Sequence, residues 1–373
     1  RIECRRQRQM CIRDSLYAAY SLGGDQVPGA HRADVRRWQA AILTTAREEM
    51  GHLISVQNLL CLLGGPVSFQ RSDYPFDTPY YPYPFRLEPL TMDSLSRFIY
   101  AEMPLEVGPE VSKSEKRIRK AVKKRVEGEV EHPHPVAEIY GLVAELLADA
   151  TCIPDSAFRP ETYANQAAWD EWGKGYRPDV ASDDAVLEEE RRAGKAQDQL
   201  AASELKAQIL VARMGTRTEA LEAVGRIAAQ GEAPHRHGHK EGEPSHFERF
   251  ADVYEGFEKI EGWVPTRDVA INPTTLDPAQ FPGAGTYIEA DTSRTWAELF
   301  NLRYRMALTY LTHTYRLSGP AVPGEPTLRG RILHRIFGEM YNMKTLAGIL
   351  MRLPLTDDPR DARRAGPPFE MPY

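Results

Sequence analysis

The longest regular pattern of apolar residues lies between Val35 and Leu63. Residues recur there at spacings of four and three, which places them on one face of a long helix that packs against a partner. The positions on this face are Ile42, Ala46, Glu49, Leu53, Val56, Leu60 and Leu63. Glu49 is therefore a carboxylate within an apolar face, and His52 follows it at i+3. A buried carboxylate needs a compensating charge or a metal ion because its desolvation is costly.

Helical patterns joined by irregular segments account for the rest of the chain. A first helix is predicted to end at 16–22, before the helix breaker Gly23-Gly24. Further helices are predicted at 91–105, 135–150, 184–230, from the N-cap Ser245 to Ile260, at 296–317 and at 327–353. Segments rich in proline, at 69–89 and 262–294, separate them. With no sustained strand alternation, the sequence predicts a mainly α fold.

The chain divides into three parts by pattern. We predict that residues 1–15 are a non-native N-terminal segment, because RQMCIRDS resembles translated sequencing adapter, and that these residues pack poorly. Residues 16–260 are predicted to form a helical bundle with inserted loops. Residues 261–373 are predicted to form a connecting loop and a C-terminal helical hairpin packed on the bundle.

Charge and cysteine content narrow the class of protein. The 373 residues include 47 Lys and Arg against 53 Asp and Glu, a formal charge of -6, which gives no electrostatic reason to expect nucleic acid or anionic membrane as a partner. No apolar run approaches the roughly 20 residues of a membrane span. The four cysteines lack metal-ligand spacing, which suits a reducing compartment. We therefore expect a soluble cytoplasmic protein.

Helical periodicity directs several other chemically active side chains inward. Glu102 lies between positions of an apolar face, Glu232 shares a face with Leu221 and Val224, and His246 begins the face that continues to Phe250. With Glu49 and His52 these make three carboxylates and two imidazoles, a ligand set suited to divalent metal ions. A Glu-x-x-His pair is also how two-metal carboxylate sites are built in four-helix bundles.

Other interpretations compete with a metal site. Any one inward Glu or His is more often a salt bridge or a satisfied hydrogen-bonding group of the core, so the metal hypothesis depends on convergence of the whole set. Glu48 lies about 100° from the apolar face of its helix and is predicted to face solvent. We therefore expect that Glu48→Ala would leave metal content almost unchanged, whereas His246→Ala would reduce it strongly.

Motifs along most of the chain resemble the ferritin-like domain family of iminophenyl-pyruvate dimer synthases, found in violacein and rebeccamycin pathways. The matching segments are LYAAYSL at 16–22, AREEMGHLISVQNLLCLLGGPV at 46–67, FIYAEMP at 98–104, HPVAEIYGLV at 134–143, IAAQGEAP at 227–234, SHFERF at 245–250 and AGPPFEMP at 365–372. The combination of EEMxH…GG-P with QGE…SHF-x-RF is the most specific part. The resemblance implies a ferritin-like helical bundle with long irregular loops and an extra C-terminal helical hairpin.

The resemblance also implies a ligand set. It assigns metal binding to Glu49, His52, Glu102, Glu232 and His246, and it adds Glu138 as a third-helix ligand. Periodicity disagrees about Glu138, which lies opposite the apolar face of its own helix, so Glu102 ranks above it. The family's first-helix Glu would fall about eight residues before Leu16, where this chain has Arg8. A family Gly after the QGE motif is replaced by Ala233.

These expectations lead to a functional hypothesis. The chain is predicted to be a metal-dependent oxidoreductase that holds two iron ions, with manganese or zinc as alternatives, and that acts on a small aromatic metabolite derived from an imino or amino acid. The aromatic loop 74–85 is predicted to wall the substrate pocket. The alternative is a non-catalytic metal-binding or assembly protein with a degenerate site. We expect a small-molecule substrate and neither nucleic acid nor membrane as partners, and homo-oligomerisation is left open.

Overall fold

The computed structural model describes eight stretches of the chain. They are residues 2–67, 69, 85–105, 112–127, 135–172, 209–232, 244–319 and 327–371, without the side chains of residues 2–8, 10, 170 and 232. Within these stretches the chain forms ten α-helices and one short pairing of strands. The expectation of a mainly α fold is confirmed.

Apart from the start of the helix predicted at 184–230, the ends of the predicted helices lie within five residues of the observed ones. The observed helices are α1 (Ile2–Ser21), α2 (Arg32–Leu62), α3 (Met92–Ala101), α4 (Lys113–Val126), α5 (Val136–Ala148), α6 (Trp169–Trp172), α7 (Arg217–Glu232), α8 (His246–Phe257), α9 (Asp291–Thr314) and α10 (Leu328–Leu350). Short 3-10 turns lie at Gly29–His31, Asp155–Ala157 and Pro160–Asn165. No helix among the residues described here is both long enough and apolar enough to cross a membrane.

Helix α2 is the centre of the bundle. It pairs with α1 along its length and also contacts α7 and α8, while α3 packs on α4 and α8, and α5 packs on α7. Because neighbours lie on several sides of α2, its C-terminal half from Gly51 to Leu62 is buried on every face. A helix with this environment does not have the single apolar face that the sequence pattern predicts.

The segment before α7 corrects the predicted helix at 184–230. Residues 184–208 lie outside the described part of the chain, and residues 209–216 are irregular rather than helical. The backbone of this segment bonds to α2 side chains: Ser55 Oγ donates to Leu210 O (3.0 Å), and Asn58 Nδ2 donates to Ala212 O (2.8 Å). Gly51 permits the close approach, since a Cβ there would lie 2.8 Å from Leu210 O. Side-chain partners on α2 thus replace the hydrogen bonds of a helix.

Helices α9 and α10 pack against each other as a C-terminal hairpin. Strands β1 (Pro273–Thr274) and β2 (Thr286–Tyr287) pair in parallel in the preceding connection. The buried carboxylate of Glu370 accepts hydrogen bonds from Thr275 Oγ1 (2.7 Å) and Asn301 Nδ2 (2.9 Å), which fixes the C-terminal segment on α9. The division into parts at 15/16 and 260/261 stays a prediction.

The N-terminal residues pack more closely than we expected. Helix α1 begins at Ile2, and its described side chains from Ile12 to Ser15 are all buried, with Arg13 only 1% exposed. Gln9 Nε2 also donates to Phe69 O at 3.0 Å. The expectation of poor packing was therefore wrong for Gln9 and for residues 12–15, because α1 continues through them and lies against α2. The non-native origin of residues 1–15 stays a prediction.

Candidate metal centre

Glu49 and His52 occupy one buried face of α2. Their spacing of three residues brings the side chains together on the helix, and His52 Nδ1 lies 3.0 Å from Glu49 Oε1. The side chains are 2% and 0% exposed. The other ring nitrogen, His52 Nε2, lies 2.7 Å from the amide oxygen Oε1 of Gln230 on α7.

His246 reaches the same place from the first residue of α8. Ser245 caps this helix: its side chain accepts a hydrogen bond from the Glu248 backbone N–H, and the Glu248 carboxylate accepts one from the Ser245 backbone N–H. The cap fixes where the helix begins, and therefore where the imidazole of His246 points. His246 Nδ1 lies 3.1 Å from Glu49 Oε1 and 3.6 Å from Glu102 Oε2, and His246 is fully buried.

Glu102 completes the cluster from the C-terminal end of α3. It is the residue that ends this helix, and it is 6% exposed. Its carboxylate lies directly against the backbone of α7, because a Cβ added to Gly231 would be 2.7 Å from Glu102 Oε2. A glycine at this position is what lets the carboxylate approach the helix.

The hydrogen-bond roles of the two imidazoles explain why this cluster suits a cation. His52 Nε2 faces an amide oxygen and His246 Nε2 lies 3.0 Å from Glu48 Oε2, and both oxygens are acceptors. Each imidazole must therefore carry its proton on Nε2 when it is singly protonated. Both Nδ1 lone pairs then face Glu49 Oε1, an arrangement that requires an added proton or a metal ion between them.

The geometry passes a test for a metal ligand set. One ligand atom from each of Glu49, His52 and His246 lies within 4.8 Å of the others, and His246 Nδ1 is a buried atom without a hydrogen-bond partner although a carboxylate oxygen is 3.1 Å away. Two ligand atoms about 2.1 Å from an ion at a right angle lie about 3 Å apart. The separations of 3.0 and 3.1 Å at Glu49 therefore match neighbouring ligands of one ion.

Electrostatics in the site favour positive charge at His246. Burial opposes the charged imidazole, but the carboxylates of Glu102, Glu48 and Glu49 outweigh it and raise the pKa of His246 well above its usual value. Burial also opposes the charged form of Glu48 and by itself would raise its pKa. Contacts with His246 and Arg249 outweigh burial, so the pKa of Glu48 lies below its ordinary value. A metal ion bound at His246 Nδ1 would have to displace a proton that these carboxylates stabilise.

A small cavity of about 10 Å³ opens beside the carboxylates. Its lining combines Glu49 and Glu102 with Asp14 and with the rings of Phe98 and Phe250. The volume corresponds to about one water molecule. The described residues thus leave room beside the cluster for a ligand of that size, between carboxylates and an aromatic wall.

The structure brings together four of the six residues singled out from the sequence. Glu49, His52, Glu102 and His246 converge, whereas Glu138 is exposed on α5 and lies outside the cluster. Glu232 ends α7, and its side chain lies outside the described part of the chain. The roles of all six residues as metal ligands stay a prediction. Most of the aromatic loop 74–85 also lies outside the described residues, except Phe85, which lines the small cavity.

The expectation for Glu48 was wrong. Glu48 is fully buried and accepts hydrogen bonds from both guanidinium NH groups of Arg249, one of them at 3.1 Å, besides its contact with His246. The error came from treating α2 as a helix with one buried face. Arg249 three residues after His246 was the available signal, since it lies on the same side of α8 and would need a buried anion.

Two further residues of the site were missed. Gln230 has no charge to mark it, and its contact with His52 joins residues far apart in sequence. Asp14, which is 3% exposed and lines the cavity, lies in the segment that was expected to pack poorly. An acidic residue on α1 within one turn of the LYAAYSL motif was the only sequence signal for it.

Comparison with known proteins now identifies the family. The family model described as ferritin-like matches residues 10–255. Dichlorochromopyrrolate synthase from Lentzea aerocolonigenes is 26% identical to this chain over 361 residues, an alignment that covers 94% of this chain and 30% of that protein. The chain thus spans less than a third of this curated relative, and no solved structure gives a significant match. Because the matched region covers more than half of the chain and contains the whole Glu–His cluster, this chain belongs to the ferritin-like family.

Proposed function

We propose that this protein is a metal-dependent oxidoreductase whose metal centre is held by Glu49, His52 and His246, with Glu102 as a fourth ligand. The observation that carries the proposal is the position of Glu49 Oε1, which lies 3.0 Å from His52 Nδ1 and 3.1 Å from His246 Nδ1. Both imidazoles have their Nε2 atoms against acceptors, so that both lone pairs are available at the same place. Carboxylates and imidazoles together bind first-row transition ions.

Iron is the metal we propose, because the donor set has two imidazoles and carboxylates with room for an exogenous ligand beside them. Iron held by these residues would supply one-electron redox chemistry. The chain's own residues supply the rest. Gln230 and Glu48 hold the Nε2 protons of the two imidazoles, and Phe98 and Phe250 exclude bulk water from the cavity side.

The proposed substrate is a small aromatic metabolite derived from an imino or amino acid. Two observations support this class. The relative that aligns over 94% of the chain is a synthase of dichlorochromopyrrolate, and the cavity beside the carboxylates is walled by the rings of Phe98, Phe250 and Phe85. The cavity itself holds only about one water molecule, so we expect the substrate to bind across its mouth.

Anaerobic loading with Fe(II) followed by exposure to oxygen tests this function. We expect oxygen consumption and a ferric absorption band in the wild type, and neither in the protein loaded with Zn(II). Glu49→Gln should abolish both signals, because it removes the carboxylate shared by the two imidazoles. Glu138→Gln is the matched control, since Glu138 is an exposed carboxylate outside the cluster.

The outcomes separate the alternatives. Tight binding of Zn(II) and Fe(II) without iron oxidation would indicate a structural or assembly role for the metal. Iron oxidation that survives in Glu49→Gln, or is lost equally in Glu138→Gln, would contradict the assignment of the centre to this cluster.

A further inference from the structure

A buried ion pair lies directly behind His246, on the side away from Glu49. Glu48 and Arg249 have side chains that are 0% and 6% exposed, and both guanidinium NH groups of Arg249 donate to the Glu48 carboxylate. Glu48 Oε2 also lies 3.0 Å from His246 Nε2. The three side chains form one chain of contacts: Arg249, Glu48, His246.

This ion pair determines which ring nitrogen of His246 carries the proton. An ionised carboxylate can only accept hydrogen bonds, so Glu48 requires His246 to keep its proton on Nε2. The guanidinium of Arg249 donates to both oxygens of the Glu48 carboxylate and holds it in a fixed orientation by two parallel contacts. When the imidazole carries this single proton, the lone pair of His246 Nδ1 faces Glu49 and Glu102, at 3.1 and 3.6 Å.

We propose that Glu48 and Arg249 are positioning residues that fix the tautomer of His246, so that Nδ1 and not Nε2 is the atom presented to a metal ion. This inference rests on the proposed metal centre and adds to it residues that hold no metal themselves. The pair is expensive to bury for stability alone, since apolar residues of similar volume would pack there without desolvating two charges. A role in orienting a ligand gives a reason for its position.

The substitution Glu48→Gln isolates this role because it keeps the size of the side chain. The glutamine amide can turn its NH₂ group toward His246 Nε2, which then becomes an acceptor and moves the ring proton to Nδ1. An Nδ1–H group would donate to Glu49 and occupy the place of the metal. We expect Glu48→Gln to weaken Zn(II) binding between about 10-fold and 100-fold.

Glu171→Gln is the matched control. Glu171 forms a buried pair with Arg329, with side chains 6% and 1% exposed and contacts of 2.8 and 2.6 Å, but its partner is not a histidine. Both substitutions remove one buried carboxylate charge that faces an arginine. We expect Glu171→Gln to destabilise the protein by a similar amount while Zn(II) affinity stays within about threefold of wild type.

The experiment measures Zn(II) affinity of the full chain by competition with a chromophoric chelator, with circular dichroism to verify folding. A second measurement needs no variant at position 48: ¹⁵N NMR of the Zn-loaded wild type should show His246 with zinc on Nδ1 and a proton on Nε2, the signal being assigned by its loss in His246→Gln. This measurement decides the inference if Glu48→Gln does not fold.

Three results are distinguishable. The positioning role is overturned if Glu48→Gln and Glu171→Gln bind Zn(II) with equal affinity. It is also overturned if zinc in the wild type is bound to His246 Nε2. Either result leaves the metal centre itself intact. Failure of the wild type to bind Zn(II), Fe(II) or Mn(II) overturns the metal centre itself and the inference with it. Weaker binding confined to Glu48→Gln, with Nδ1 coordination in the wild type, supports the inference.

Discussion

Gly231 offers a direct way to move one proposed ligand without removing it. In Gly231→Ala the new Cβ would lie 2.7 Å from Glu102 Oε2, with the next atom, Glu102 Cδ, at 3.9 Å. An ordinary contact begins at about 3.4 Å. The Glu102 carboxylate must therefore withdraw by about 0.7 Å or rotate away from α7.

The expected change in stability and in metal affinity depends on which atoms move to make room for the new Cβ. The atom in contact is the end of a side chain, so the fold itself should accommodate the change, and alanine also favours the helix. We expect the free energy of unfolding of the metal-free protein to stay within about 1 kcal/mol of wild type. A proposed ligand displaced by this distance should cost more in metal affinity, about tenfold or ~1.4 kcal/mol.

Gly225→Ala is the matched control on the same helix. A Cβ at Gly225 meets no atom within 4 Å, and the position is exposed. This variant should gain about 0.5–1 kcal/mol in stability and bind metal as the wild type does. Urea unfolding of the metal-free proteins and calorimetric titration with Zn(II) measure the two effects separately. Equal affinity in Gly231→Ala and Gly225→Ala would show that the position of Glu102 does not matter for the metal.

Three further predictions follow from other contacts. His246→Ala should lower metal affinity by at least about 100-fold, because it removes one of two imidazoles, and Glu138→Ala should leave it unchanged; similar losses in both would refute the cluster. The pKa of His246 is raised, so its protonated form stabilises the metal-free protein below about pH 6.5, and this contribution is lost as pH rises through the raised pKa. Zn(II) competes with the same proton, so Zn(II) affinity should increase over that rise in pH. A Zn(II) affinity that does not change with pH would contradict this prediction. Asn58→Ala should lower the free energy of unfolding by about 2–4 kcal/mol, because Ala167 N (3.0 Å), Ala167 O (2.9 Å) and Ala212 O (2.8 Å) all lose a buried partner; a urea midpoint equal to that of wild type would refute the role of this residue.

The sequence was sufficient for the helices and for the residues on strongly patterned faces. Glu49, Glu102 and His246 interrupt apolar periodicity, and a polar residue at such a position must face the interior whatever the partner is. The boundaries of α2 and α10 lie within three residues of their predicted ends, because glycine, proline and N-cap residues mark them. Family motifs then added Glu138, which the structure leaves exposed and which periodicity had ranked lower.

The sequence could not predict contacts that depend on more than two helices packing together. Glu48 is 100° from the predicted face of α2 and still buried, because α8 covers the side that would be open in a two-helix pair. Arg249 then compensates its charge from that same helix. Interpretation of a helical wheel assumes that the helix packs against one partner. It therefore assigns the second buried face to solvent.

The same reasoning explains why the tautomers, on which the proposed chemistry depends, had to come from the structure. Glu49 and His52 are fixed relative to each other by α2 alone, so their contact was predictable from the spacing of three residues. The direction of each lone pair depends instead on contacts between helices: Gln230 of α7 contacts Nε2 of His52 on α2 at 2.7 Å, and Glu48 of α2 contacts Nε2 of His246 on α8 at 3.0 Å. The ligand residues can be identified along one helix, but the atoms that bind are selected by neighbours that only the folded bundle brings together.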